Sequence, residues 1–558
     1  MEKKTDEDKI KDIKSRFQEL DNNRARFIDR WLEAQQYTGF SVYDWYNLDS
    51  IPTSPKRFTS APCNFLSILT SGLVGYSISP NITWYKLALE NNNQMKLYGV
   101  KDWLEEVEET MNAEFNRSNL YQQSVRFIED AACIGHGVML CEEDVKENKL
   151  RFSTMRSNEI YLDANENGDV DTVYRRYLMT LRNAVEFFGL DNLDESLQEA
   201  YKDAGKWNNK IEILHVVQPR RDRDENNPDS KNMAWESIFI DNERNKIITE
   251  SGYKENPYAV FEWKQIPGFA YSESPVMGAM SDIKALNLME ETRLKIAQTS
   301  AEPPMRVTQG VKNISLVPKG FTYVRKDEVI EPIKTGDNYP VTLDVVEKKK
   351  EEVKDWFNVD FFLMLQQKEG QMTATEVMEL QGEKAAVLSN LIVNLNSALQ
   401  KIIERSFNIL MRAGRLPPPP ETLRNESANM KIDFMGPLAQ SQKKYHTMGG
   451  ISAALSLASP ILQLFPNSGD FIDADELMKR AMEGQGMPQA VIREDDDVKK
   501  IRETRAQQQE AAQQQAQQQE MLQNVMANAN KLNEPVQNGS VMSDLNSQLA
   551  GGLNGGNQ

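Results

Sequence analysis

The sequence predicts an α+β protein that is elongated at its centre. Its 558 residues provide enough chain for several hydrophobic cores. Stretches with apolar residues at helical spacing alternate with short apolar runs bounded by glycine, proline and asparagine, which is typical of helices mixed with strands. Residues 274–416 predict two helices around a small β-rich segment and then a long third helix, a shape for which a compact enzyme has little use.

Residues 1–270 predict an α+β body. Apolar residues on one helical face indicate an amphipathic helix at 5–37. Further helices are expected at 64–77, 100–140 and 182–204. The second stripe within 100–140 is predicted to contain Val125, Ile128 and Ala132. Strands are expected at 83–87, within 138–177 and within 211–270.

The first of the paired helices is predicted at 274–300. Ser274 can accept hydrogen bonds from free N–H groups at the helix start, and Pro275 suits the first helical position. Pro303 and Pro304 end this helix because proline lacks an N–H donor.

Short apolar runs punctuated by glycine and proline predict strands and turns at 301–342. The second helix is expected at 343–365. Six apolar side chains of the paired helices are expected to pack: Val276, Met280, Ile283, Leu286, Trp356 and Phe357.

A glycine-bearing loop at 366–372 precedes the third helix. Thr373 and Glu376 form a capping box, in which each side chain satisfies a free N–H at the helix start. Apolar residues at helical spacing continue to Gly414, a residue that favours a helix end. At 1.5 Å per residue, such a helix is roughly 60 Å long.

The chain after the third helix begins with a stiff proline linker at 417–420. A strand is expected at 430–435, and helices resume from about 440. The tract at 498–530 contains three glutamine triplets and indicates either a polar helix or a low-complexity tail. Asparagine, glycine and serine dominate 531–558, where we expect disorder.

The net charge of −18 has the wrong sign for a protein that grips nucleic acid over its whole surface. Such a charge is equally typical of ordinary soluble proteins. The first residues contain no apolar core of a signal peptide, and no apolar run is long enough to span a bilayer, so no membrane association is expected.

The segment 163–171 has oxygen-bearing side chains at alternate positions, as in the first half of a calcium loop. Tyr174 stands where such a loop requires a bidentate glutamate, and the flanking residues have strand character. An asparagine- and glycine-rich β-hairpin turn explains the same residues, and we favour it over a metal site.

His136 lies near Cys133 and Cys141, a combination that could suggest a metal or nucleophile site. No Cys-x-x-Cys pair exists, so a structural histidine in a helix-to-strand turn and reduced thiols are the favoured interpretation. The sequence contains no phosphate-binding loop, serine elbow or zinc-binding helix motif. No catalytic residue, metal or cofactor is therefore predicted.

Basic residues stand out in three places. Lys368 lies in the loop 366–372 and would form a ring of positive charge if subunits formed a ring, although an ordinary solvated lysine is the favoured interpretation of this residue taken alone. The triplet 348–350 stands among glutamates and is interpreted as a solvated helix face with i,i+4 pairs. Five residues make the β-rich segment locally basic, either for an acidic partner or for solubility: Arg306, Lys312, Lys319, Arg325 and Lys326.

Several short motifs, each weak alone, follow one another in a specific order. They are a small-residue helix end and proline at 73–80, an aromatic run at 84–87, a strand-turn-strand at 163–180, a helix entry at 271–287, a helix start at 372–376 and the region 487–505 with the glutamine triplets. In this order they resemble the portal, or head-to-tail connector, of short-tailed (podovirus-type) bacteriophages.

The resemblance implies a portal fold with a wing, helical stem, clip, channel loop, crown and barrel. The implied regions are a wing body at 1–270, a first stem helix at 271–300, a clip at 301–342, a second stem helix at 343–365, a channel loop at 366–372, a long wing helix with a returning strand at 373–440, a crown at 441–497, a barrel helix at 498–530 and a tail at 531–558. The channel loop would expose Gln367, Lys368, Glu369, Gly370 and Gln371 to DNA.

The implied function is a ring, usually of twelve subunits, at one capsid vertex of the virion, assembled in the host cytoplasm. Double-stranded DNA would enter through it, driven by a separate terminase whose large subunit docks on the clip, and would later leave. The same clip would hold a tail adaptor protein, and major capsid and scaffold proteins would surround the ring. An acidic surface would favour sliding of DNA over sticking.

Two other functions remain open. An acidic metal-dependent enzyme could use Asp163, Asp169 and Asp171. An internal virion ejection protein would suit the long helices and the Gln-rich tract, but not the β-rich insertion between paired helices.

Overall fold

The computed structural model of the chain describes residues 5–39, 42–81, 83–91, 93–223, 229–309, 325, 327, 329–333, 339–366, 388–423, 430–436, 473, 475, 477–478, 482, 498–509, 512 and 519. The chain divides into two compact units, Met1–Leu464 and Phe465–Gln558. Helices and strands are mixed in the first unit, which confirms the α+β class. Among the described residues, no helix is both long enough and apolar enough to cross a lipid bilayer.

The helices of the first unit are numbered in chain order. They are α1 (Asp6–Thr38), α2 (Ala61–Ser77), α3 (Val100–Arg117), α4 (Leu120–Ile134), α5 (Leu181–Phe188), α6 (Glu195–Tyr201), α7 (Pro275–Gly278), α8 (Met280–Ala301), α9 (Tyr339–Trp356), α10 (Val359–Gln366) and α11 (Ser389–Arg412). The helices predicted at 5–37, 64–77 and 100–140 are confirmed, the last as two helices.

The strands form four antiparallel sheets in the described part of the chain. They are β1 (Tyr85–Leu89), β2 (His136–Asp144), β3 (Lys149–Thr154), β4 (Ile160–Ala164), β5 (Val170–Thr180), β6 (Lys210–Pro219), β7 (Trp235–Asp241), β8 (Lys246–Tyr253), β9 (Tyr258–Glu262), β10 (Met305–Val307), β11 (Ile330–Pro332) and β12 (Met430–Phe434). Their orders are β4-β5-β6-β7-β8, β3-β2-β9, β1-β12 and β10-β11.

Helix α1 joins two parts of the body. The Thr5 hydroxyl accepts a hydrogen bond from the N–H of Asp8, which caps the helix start. In the first half of α1, Ile13 and Leu20 pack against the five-stranded sheet. In its second half, Phe27 and Trp31 enter the main core, so one apolar stripe holds the sheet to the rest of the body.

The five-stranded sheet is covered on both faces. Leu214 and Val216 of β6 belong to the cluster that contains the start of α1. Ile211 and Ile213 of the same strand belong to the opposite cluster, which includes side chains of α5 and α6. Adjacent residues of a strand point to opposite faces, so this one strand contributes to two cores.

The main core lies between the three-stranded sheet and the helices α2, α4 and α11. Val138 and Phe261 on the sheet are buried, as are Leu395, Leu399 and Ile402 of α11. The Asn394 side-chain amide donates to the carbonyl of Trp263, 3.1 Å away. The described part of the predicted long helix is therefore a core element of the body.

Two strands far apart in sequence, β1 and β12, pair with each other. Leu87 lies opposite Ile432, and the N–H of Met435 donates to the carbonyl of Trp84 over 2.9 Å. Both strands were expected from their apolar patterns, and the strand at 430–435 is confirmed. Their pairing returns the chain to the body after α11.

The prediction for Val125 is wrong. Val125 is 43% exposed, whereas Ser124, Phe127, Ile128 and Ala131 form the buried stripe of α4. Successive residues of a helix are about 100° apart around its axis, so the face of α4 that buries Ser124 turns Val125 toward solvent.

The second unit is described over fewer residues. Residues 498–509 form an exposed helix, α12, which favours the polar-helix interpretation for this part of the glutamine-rich tract. Arg502 forms a bidentate ion pair with Asp475, at 2.6 and 2.7 Å. Most of the helices expected from about 440, and the tail expected at 531–558, lie outside the described residues.

Candidate functional site

The first paired helix begins where the sequence predicts. The Ser274 hydroxyl accepts a hydrogen bond from the N–H of Met277 at 3.0 Å and donates one to the carbonyl of Cys133 at 2.9 Å. The cap therefore also fixes the helix start to the end of α4. A short break at Ala279 separates α7 from α8, which ends at Ala301 before the two prolines.

The prediction of one helix at 343–365 is wrong in its continuity. Helix α9 starts at Tyr339, within the segment predicted to be β-rich, and ends at Trp356. Asn358 then adopts a φ of +49°, and α10 follows. Asparagine tolerates this left-handed conformation better than most residues, and the apolar spacing on either side does not show the break.

The six expected packing residues occupy different environments. Val276, Ile283, Leu286 and Phe357 are fully buried, and Met280 is half-buried. Trp356 is 45% exposed. Its indole N–H donates to Asp282 Oδ2 at 3.2 Å.

The lysine triplet pairs differently from the expected i,i+4 pattern. Lys350 pairs with Glu347, three residues earlier, at 3.4 Å. Lys349 pairs with Glu352, three residues later, at 2.5 Å and with Asp282 of α8 at 3.1 Å. The latter contact turns part of a solvated face into a connection between α8 and α9, which sequence reasoning missed.

The β-rich segment is described in part. Strands β10 and β11 pair antiparallel, with Arg306 opposite Glu331 and an ion pair of 3.3 Å between them. Arg325 is also described and exposed. Lys312, Lys319 and Lys326 lie outside the described residues, as do the apolar runs 314–317 and 321–324.

The predicted loop residues Gln367, Lys368, Glu369, Gly370 and Gln371 lie outside the described residues, as does the capping box at 373–376. The described residues on either side are Gln366, the last residue of α10, and Leu388, which precedes α11.

The predicted end of the third helix is confirmed. Gly414 follows α11 with a φ of +68°. The N–H of Gly414 donates to the carbonyl of Met411 at 3.1 Å, and the N–H of Arg415 donates to that of Leu410 at 3.0 Å. These bonds satisfy carbonyls at the helix end.

The segment 163–171 forms the hairpin turn between β4 and β5, as favoured over a calcium loop. The Asn165 side-chain oxygen accepts from the N–H groups of Asn167 and Asp169, at 2.9 and 3.0 Å. Asp163 pairs with Arg16 of α1. In the described ranges, no three His, Cys, Asp or Glu side chains come together as a metal site.

His136 opens β2 directly after α4, in agreement with the structural interpretation. Its ring lies 5.2 Å from the rings of both Trp31 and Tyr271. Burial, with a further contribution from Arg24, lowers the pKa of His136 to about 3. Burial raises the pKa values of Cys133 and Cys141 to about 12, so these thiols are poor nucleophiles.

Two half-buried carboxyls were missed by sequence reasoning. Burial raises the pKa of Glu108 from 4.5 to about 7, although its Oε1 accepts a hydrogen bond from the N–H of Leu87 at 2.5 Å. Burial likewise raises the pKa of Asp130 to about 7. Glu108 lies in a glutamate-rich run at 105–109, and nothing in that run distinguishes it from its exposed neighbours.

A family model described as bacteriophage head to tail connecting protein matches residues 10–492. The chain belongs to this family.

Two curated relatives agree. The portal protein of Salmonella phage epsilon15 is 29% identical over 514 residues, covering 88% of this chain and 90% of that protein. The probable portal protein of Bordetella phage BPP-1 is 27% identical over 519 residues, covering 89% and 91%. The chain is thus a bacteriophage portal, a structural component of the virion that connects the head to the tail, and neither alternative function is favoured.

Proposed function

We propose that copies of this chain form a closed ring of twelve subunits at one capsid vertex, with a central channel through which double-stranded DNA is packaged and later ejected. The observation that carries this proposal is the family match over 10–492 together with near full-length similarity to two portal proteins. A head-to-tail connector of a phage must let the genome pass, and a ring of identical subunits provides such a passage.

The paired helices α8 and α9 form the stem in this proposal. Leu288 and Leu294 of α8 are 61% and 44% exposed, and Val345 of α9 is 45% exposed. Exposed apolar side chains on both members of one helix pair favour contact with a neighbouring copy. A ring contact is heterologous, so it requires two different surfaces of each subunit.

The clip and the channel loop are assigned from their positions relative to the stem. The segment 301–342 connects α8 to α9, and Arg306 is 76% exposed in its side chain, in spite of its ion pair. We assign the terminase large subunit and a tail adaptor protein as its partners, with Arg306, Lys312, Lys319, Arg325 and Lys326 as contacts. Residues 367–371 follow α10 and are assigned to the channel, where Lys368 would make transient contact with phosphate.

The remaining partners follow from the position in the virion. Major capsid and scaffold proteins would contact the outer body, and assembly would take place in the host cytoplasm. The ring itself would perform no catalysis and bind no cofactor. Two observations support the absence of catalysis in this proposal. The thiols of Cys133 and Cys141 are buried and have raised pKa values, and residues 163–171 belong to a β-hairpin.

Imaging of the purified full-length protein by negative stain tests the proposal. We expect rings with a central hole. Charge reversal of the clip at Arg306 and Arg325 should leave the rings intact and weaken binding of terminase and adaptor. Compact particles without a hole, in the presence of capsid and scaffold proteins, would contradict the proposal.

A further inference from the structure

Both stem helices are interrupted at the same level. Ala279 separates α7 from α8, and Phe357 and Asn358 separate α9 from α10. The two breaks lie close together, since a Cβ atom added at Gly278 would lie 3.1 Å from the Trp356 ring. At each break the backbone leaves regular helical geometry, which makes these positions the ones at which a helix can change direction.

Beyond the breaks, α8 contacts the body only near its base in the described part of the chain. The buried residues of α8 are Ile283 and Leu286, both within its first two turns. Lys284 pairs with Glu33 of α1 at 2.6 Å, and the Asn287 side chain accepts from the N–H of Phe58 at 2.8 Å. From 288 to 301, no side chain of α8 is buried.

Helix α10, in contrast, is fixed to the body. The Phe362 ring lies so close to α2 that a Cβ atom added at Gly72 would be 2.2 Å from it. The same ring stacks on Tyr76, with the centroids 6.2 Å apart. Phe357 is fully buried, and its ring centroid lies 6.4 Å from that of Phe65 on α2. The chain therefore passes from the stem to the body at Asn358.

One carboxylate holds the two stem helices together just beyond the breaks. Asp282 Oδ1 accepts from Lys349 Nζ at 3.1 Å, and its Oδ2 accepts from the Trp356 indole N–H at 3.2 Å. The two partners are seven residues apart on α9, so a single side chain of α8 fixes two turns of its neighbour. Charge-assisted hydrogen bonds of this kind are the stronger ones.

We propose that α8 and α9 move as one lever on a two-point hinge, formed by Ala279 and by Phe357–Asn358, and that Asp282 is the latch that keeps the two helices in register. The lever tilts relative to the body, while α10 stays with α2. A tilt of this kind lets the stem adapt to a partner or to DNA without unfolding the body. This inference concerns the motion of the subunit and does not depend on the number of copies in the ring.

Cryo-electron microscopy of the full-length protein tests the hinge. The particle images are sorted by the angle between the helix pair α8–α9 and the body, for which helices α1 to α4 serve as the reference. We expect a spread of angles whose pivot lies at 279 and 357–358, with the position of α10 on α2 unchanged. A spread in which α9 and α10 tilt together as one helix, or a single fixed angle under all conditions including bound partner, would overturn the proposal.

Hydrogen exchange tests the latch with matched variants. Asp282→Ala should raise exchange in the first turns of α8 and the last turns of α9 by at least about threefold, because local opening becomes easier. Trp356→Phe, which removes only the indole donor, should raise it less and at the same amides. Asp355→Ala, an exposed carboxylate one residue before Trp356, is the control and should change little. Equal effects of Asp282→Ala and Asp355→Ala would refute the latch.

Discussion

Glu108 shows how one half-buried side chain makes stability depend on pH. The carboxyl lies beside the free edge of β1, where its Oε1 accepts from the N–H of Leu87. Burial raises its pKa from 4.5 in the unfolded chain to about 7. The folded state therefore binds a proton more tightly, so this group's contribution to stability is complete below about pH 4.5 and is lost as the pH rises through about 7.

Glu108→Gln should reduce that loss, because glutamine keeps the acceptor oxygen and does not ionise. We expect the variant to unfold at a higher temperature than the wild type at pH 8, with a smaller difference at pH 5. Thermal unfolding at both pH values measures this. Glu106→Gln, on the exposed face of the same helix, is the control, and a variant at 108 that behaves like it at pH 8 would contradict the assigned burial effect.

At the scale of elements, the contact between α2 and α10 depends on Gly72. A Cβ atom there would lie 2.2 Å from the Phe362 ring, closer than any real contact, whereas nothing lies within 4 Å of a Cβ atom added at Gly75. Gly72→Ala should lower the unfolding temperature by roughly 2–6 °C, as overpacking costs about 1–3 kcal/mol. Gly75→Ala, three residues along the same helix, should be neutral or stabilising, because alanine is the better helix former.

Differential scanning calorimetry of the two variants makes the comparison direct. Equal changes in unfolding temperature for Gly72→Ala and Gly75→Ala would contradict the packing of α10 on α2. The Asp282 variants should leave the contact between α2 and α10 intact. The calorimetry therefore tests this contact independently of the latch between α8 and α9.

Local signals predicted many of the elements. The caps at Ser274 and Gly414 involve chemistry confined to a few neighbouring residues, and the apolar stripe of α1 lies within one element, so α1, the start of α7 and the end of α11 follow from the sequence. The break at Asn358 does not, because apolar spacing continues across it and only packing on α2 shows where the chain turns. The pairing of β1 with β12 is likewise a long-range contact that no local pattern encodes.

In the candidate site, the buried positions could be predicted from the sequence better than the contacts between the two helices. Burial of Val276 and Leu286 follows from helical spacing, whereas the exposed position of Trp356 and its bond to Asp282 depend on the neighbouring helix. Ile283 is fully buried within the subunit. A charge placed there would therefore disturb folding of the base of α8 as well as any contact between subunits.

At the scale of the whole molecule, an exposed residue is the better probe of assembly. Leu288→Glu should reduce the fraction of assembled rings several-fold, because it places a charge on a surface proposed to face a neighbouring copy. The unfolding temperature of the unassembled subunit should stay the same, since Leu288 is 61% exposed. Sedimentation velocity measures the assembled fraction.

Tyr98→Glu is the matched control, because Tyr98 is 90% exposed and lies just before α3, outside the two stem helices. Full assembly of Leu288→Glu would place the subunit contact elsewhere. Loss of assembly in both variants would indicate a general effect of added negative charge on a chain that already carries −18.

The native mass of the purified protein, measured with and without scaffold protein, tests the central claim most directly. Twelve copies of the 63.7 kDa chain predict a particle of about 760 kDa. Assembly only in the presence of scaffold would still agree with a portal ring. A protein that remains near 63.7 kDa at high concentration with scaffold present would contradict it.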